Sequence, residues 1–76
     1  MLERKFVLPV VIEKDSDGYF AYCPNLPGCY TQGDSYEEVL YNIQDAIRLH
    51  IEDRLANNEP IRRSEMVSLT SLEVTV

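Results

Sequence analysis

From Arg4 to Lys14 the chain reads RKFVLPVVIEK, a run of β-branched and aromatic residues with charges at both ends. That composition predicts a first strand over residues 4–14. Phe6, Leu8, Val10 and Ile12 alternate onto one face, and Val7 and Val11 onto the other. Pro9 has no N–H, which places it at an edge position or a bulge. DSDG, Asp15 to Gly18, is a turn, and YFAYC, Tyr19 to Cys23, is a second strand that closes a hairpin with the first. NLPG, Asn25 to Gly28, fits a β-turn with Pro27 followed by Gly28 in the type II arrangement. CYTQG, Cys29 to Gly33, is a short third strand.

Ser35-Tyr36-Glu37-Glu38 then has the form of a capping box, with two acids placed to complement a helix dipole. Tyr36, Val39, Leu40, Ile43, Ala46, Ile47, His50, Ile51 and Leu55 follow at three- and four-residue steps. They make the apolar stripe of a helix running to about Asn57, where NNEP supplies the exit. The tail, MVSLTSLEVTV, alternates again: Val67, Leu69, Ser71, Glu73 and Thr75 oppose Ser68, Thr70, Leu72, Val74 and Val76. It predicts a last strand. The expected fold class is α+β, a small antiparallel sheet with one helix packed on it in the order β-β-β-α-β, forming a single domain over residues 1–76. One helix covers one face of a sheet, so the apolar residues on the opposite face, or an open edge, call for another chain.

Size sharpens that expectation. A chain of 76 residues draws roughly 3–5 kcal/mol from its own core and needs added support. One histidine and two cysteines cannot complete the usual four-ligand Cys/His zinc site within one chain. Self-association is the support that remains. The apolar run ending at Ile12 is too short and too charge-flanked to span a membrane, and no small-residue cleavage site follows it. The expected location is cytoplasmic, where thiols stay reduced. A net charge of −6, with Arg62 and Arg63 of IRRS the one basic pair singled out, argues against direct binding to nucleic acid. It suits a basic partner, or serves solubility alone.

The candidate chemistry is sparse. Cys23 and Cys29 lack the two-residue spacing of a redox or zinc motif; they could meet across a hairpin, but small strand cysteines more commonly pack. His50 lies on the helix stripe with no nucleophile or orienting acid placed by spacing, so packing at the core edge is its simplest role. Among 13 acids, the strand acids Glu13 and Glu73 stand near strand ends. No acid sits mid-strand, where a two-metal nuclease would build its site. No glycine-rich phosphate loop is present. The expectation is therefore no catalytic residue, no metal site and no cofactor. Five tyrosines, Tyr19, Tyr22, Tyr30, Tyr36 and Tyr41, are of a type enriched at protein interfaces.

The motifs taken in order are distinctive. Val10 to Ile47, VVIEKDSDGYFAYCPNLPGCYTQGDSYEEVLYNIQDAI, carries E-K-D-x-D-G-Y, then P-x-L-P-G-C, then Q-G-D-S leading into E-E-V-L-x-N-I-x-D-A-I. In this block the chain resembles the HicB antitoxin family of bacterial and archaeal toxin–antitoxin systems. The resemblance implies a degenerate RNase H-like fold without the nuclease carboxylates. It also implies a non-catalytic module that neutralises a small basic HicA-type mRNA-cleaving ribonuclease by covering its active site. Many members carry a C-terminal ribbon-helix-helix or helix-turn-helix segment that binds operator DNA. Here the residues after the helix read as a loop and a strand, so the expectation is a short form without that segment. The alternative is a solitary HicB-like oligomer, structural or ligand-binding, with no toxin. For partner binding, the exposed polar and aromatic groups of the hairpin and following loop are selected: Asp15, Asp17, Tyr19, Tyr22 and Asn25.

Overall fold

A computed structural model describes residues 4–62 and 66–76. Its elements are β1 (Val11–Asp15), β2 (Gly18–Tyr22), β3 (Tyr30–Gly33) and α1 (Tyr36–Ala56). The strands form one antiparallel sheet in the order β1-β2-β3. The α+β class is as expected, with two differences in the strands.

β1 begins at Val11 rather than Arg4. Its register sets Val11 opposite Tyr22, and two more residues in each direction would place Pro9 opposite Pro24. Neither has an N–H, so the ladder has no donor there and stops. The second difference is the tail: residues 66–76 form no strand and are exposed throughout. Their apolar alternation is real, but among the described residues they pair with no strand.

The turns follow from local chemistry. Between β1 and β2, the Asp17 N–H donates to Asp15 Oδ1 at 2.8 Å, and Gly18 takes φ +134, a conformation a side chain would strain. Between β2 and β3 the chain makes two consecutive turns, Leu26 N–H to the Cys23 carbonyl and Cys29 N–H to the Leu26 carbonyl. The type II turn therefore spans Leu26–Cys29, one residue later than the NLPG reading, with Pro27 leading and Gly28 at φ +84.

Ser35 caps α1: its backbone is extended and its hydroxyl accepts from the Glu38 N–H at 3.0 Å. Glu37 and Glu38 lie in the first turn, beside the positive end of the dipole. At the other end Asn58 adopts φ 56. The Glu59 N–H reaches the Arg54 carbonyl at 2.8 Å and the Asn58 N–H the Leu55 carbonyl at 3.3 Å. This is a Schellman exit with Asn at the left-handed position.

α1 lies over β3 and β2, and none of its Cα atoms comes within 8 Å of β1. The helix is thus offset toward one side of the sheet. Val39 and Ile43 are its buried anchors, meeting Ala21, Cys23, Leu26 and Cys29. Leu8, Val10, Ile12, Ile47 and Ile51 pack around that centre, and Ile61 joins them after the helix. Gly33 is required by the close approach of β3 to α1: a Cβ there would lie 2.8 Å from the Val39 backbone nitrogen.

Candidate partner-binding face

The face of the sheet turned away from α1 is built from three cross-strand rows. Val11, Tyr22 and Tyr30 stand opposite one another, as do Glu13, Phe20 and Gln32, while Asp15 closes the β1 end against Gly18. Strand alternation puts these side chains on one side, because Ala21 between Phe20 and Tyr22 points into the core. Three aromatics are left open to solvent on this face: Tyr30 at 75% exposure, Tyr22 at 43% and Phe20 at 38%. The loop beyond it continues the apolar surface as a shallow depression lined by Tyr22, Pro24, Pro27 and Tyr30.

The opposite end is acidic. Asp17, Asp34 and Glu38 border a second depression together with Tyr19 and Gln32, and Asp15 lies across the hairpin turn. The result is an aromatic face with acid along one margin, the form of an apolar interface centre with a charged rim. It favours a partner that presents apolar surface beside basic side chains.

The five residues selected from the sequence divide across this architecture. Tyr22 and Asp15 share the outer face at opposite ends of the hairpin, with Asp17 next to Asp15 at the turn. Tyr19 lies on the helix side, half-buried, edge-on to Tyr36 with ring centroids 6.3 Å apart. It lines the acidic depression rather than standing among the exposed aromatics. Asn25 departs from the expectation of an exposed group: it is 5% exposed, and its Nδ2 donates to the Arg62 carbonyl at 3.0 Å. Asn25 is a structural tie between the β2–β3 loop and the chain leaving the helix.

Phe20, Tyr30, Val11 and Glu13 belong to the face but were not among the selected residues. Period-two alternation was the signal that could have found them, since Phe20 and Tyr22 must share a side. Cys23 and Cys29 are buried free thiols, joined by a backbone bond from the Cys23 N–H to the Cys29 carbonyl at 3.0 Å. Burial pushes the Cys29 thiol above its ordinary value, and neighbouring Cys23 adds to the shift. Both are core groups, as expected, though they stand just beyond the ends of β2 and β3 rather than within the strands. His50 is half-buried on the helix stripe. Among the described residues no group of three His, Cys, Asp or Glu side chains could hold a metal ion, and no helix is long and apolar enough to cross a membrane.

Comparison with known proteins agrees with this reading of the fold. The HicB-like antitoxin family of bacterial toxin–antitoxin systems matches residues 8–74. A protein of Thermoplasma acidophilum, UPF0150 protein Ta0767, is 47% identical over 62 residues, covering 80% of this chain and 90% of its own length. UPF0150 protein ssr1765 of Synechocystis is 44% identical over 59 residues, covering 76% of this chain and 75% of its own. Among solved structures, a chain of the HicA3 and HicB3 toxin–antitoxin complex superposes with a TM-score of 0.63 at 25% identity, covering 79% of this chain and 70% of that one. With nearly its whole length matched and its sheet and helix arranged as in that structure, the chain belongs to the HicB-like antitoxin family.

Proposed function

We propose that the protein is a non-catalytic antitoxin module that binds a small basic HicA-type ribonuclease and covers its active site. The observation that carries this reading is the exposed aromatic face with acid along its margin, on a fold shared with a chain of a HicA–HicB complex. A ribonuclease must present cationic surface to RNA phosphates, and carboxylates compete for that surface. Aromatic side chains beside them supply desolvated contact area that RNA competition does not displace. Tyr22, Asp15 and Asp17 form the contact, with Phe20 and Tyr30 between and beside them. Tyr19 contributes from the acidic depression it lines, and Asn25 acts by holding the loop shape.

The test is recovery of the tagged chain from its native host at low salt, with bound proteins identified by mass. A stoichiometric small basic protein, released by salt and active on RNA once freed, is the expected result. Recovery of the chain without a basic companion overturns the proposal in favour of a solitary HicB-like oligomer.

A further inference from the structure

We propose that residues 66–76 of one copy pair as an added strand with the free edge of β1 in a second copy, reciprocally, to form a closed dimer. The tail alternates like a strand yet leaves its large side chains in solvent: Leu69 is 87% exposed, Leu72 83% and Val74 77%. Exposed apolar alternation in an extended segment is half of a sheet contact.

The other half lies at β1. A sheet of order β1-β2-β3 has two edges, and they are not equivalent. At β3, Asn42 Nδ2 from the helix donates to the Gln32 carbonyl at 3.0 Å, which takes up one outward acceptor of that edge. At β1 the ladder closes at Asp15 and Gly18 across the hairpin turn, so Asp15, Glu13 and Val11 direct their polar groups to β2. The alternate residues, Ile12 and Lys14, direct theirs outward. The helix does not reach over this side. An apolar groove of about 360 Å³ remains there, lined by Leu8 and Val10 before β1 and by Leu40, Ile43 and Ile47 of α1. Leu72, Val74 and Val76, which share one face of the tail, match the row Leu8, Val10 and Ile12 that borders the groove.

A second copy is the occupant because the chain leaves its own tail unpaired and its own β1 edge uncovered. Each copy has one tail and one receptive edge, and mutual exchange satisfies both with two-fold closure.

The experiment is light scattering of the full chain combined with amide hydrogen exchange across a concentration series. The expected mass is twice the 8.8 kDa of one chain, with the Ile12 and Lys14 amides gaining protection as concentration rises. The double variant Leu72→Asp, Val74→Asp should run at the single-chain mass and lose that protection, while keeping its helical circular dichroism because these side chains take no part in the chain's own core. A mass unchanged by the double substitution overturns the inference. So does a single-chain mass at every concentration, or edge protection independent of concentration, which would mean that the tail folds back on its own sheet.

Discussion

At the residue scale, the positions that matter most are those where one atom decides whether two elements meet. Gly33 is the sharpest. A methyl group there meets the backbone of Val39 and Glu38 at 2.8–3.2 Å, and backbone does not move aside as a flexible side chain can. Gly33→Ala should cost about 1–3 kcal/mol, the usual penalty for forcing volume into a packed contact, read as a lower denaturation midpoint with unchanged m-value. Cys29 makes a pH-dependent prediction. Its thiol is held above its ordinary value of 9.0 by burial and by Cys23, so the folded state keeps its proton where the unfolded chain has begun to lose it. This contribution is fully present below the unfolded value and is lost as pH rises through the folded one. Stability should therefore fall on the alkaline side of about pH 9, and Cys29→Ala should flatten that slope in a series of urea melts.

Residue identity alone revealed some of these roles. The cysteines read as packing groups because their spacing suits no metal and their positions suit strands. Asn25 reads as exposed because it is a polar residue in the loop after the hairpin. It is buried because its amide finds the Arg62 carbonyl, separated by 37 positions in the chain, and no local pattern signals a partner that distant.

At the element scale, the helix was legible at both ends. Ser35 and Glu38 announced its start, and the Asn pair its end, within a residue of Asn57. The left-handed conformation of Asn58 yields a prediction in the stabilising direction. Asn58→Gly removes the Cβ strain at the Schellman position and should gain about 0.5 kcal/mol, seen as a small rise in Tm. The strands were legible as elements but less so in extent. β propensity runs unbroken from Phe6 to Ile12, and what ends the ladder at Val11 is the meeting of two prolines. That depends on register, which a single segment does not contain. The tail shows the same limit: alternation marks a segment fit to pair, while pairing needs an edge within reach.

At the scale of the whole molecule, a net charge of −6 acquires a direction, since Asp15, Asp17, Asp34 and Glu38 gather at the hairpin-turn end. Such a margin steers a basic partner. Asp15→Lys with Asp17→Lys should lower the association rate of the complex and reduce its salt dependence while changing the dissociation rate little. Stopped-flow binding at two ionic strengths separates these effects, and an unchanged salt slope would remove both residues from the interface. The outer face itself was half legible. Tyr22 and Asp15 read as exposed hairpin groups, Phe20 and Val11 share their side by alternation and hairpin register, and Tyr30 joins them only once β3 is placed beside β2.

Silencing of a ribonuclease by coverage of its active site is open to direct test. The direct measurement is RNA cleavage by the salt-released basic companion, titrated with purified chain and with a Tyr22→Asp, Tyr30→Asp variant. Cleavage should fall in proportion to added chain and cease at a fixed stoichiometry, with the variant needing a large excess. Cleavage that continues unchanged at saturating chain would contradict the account.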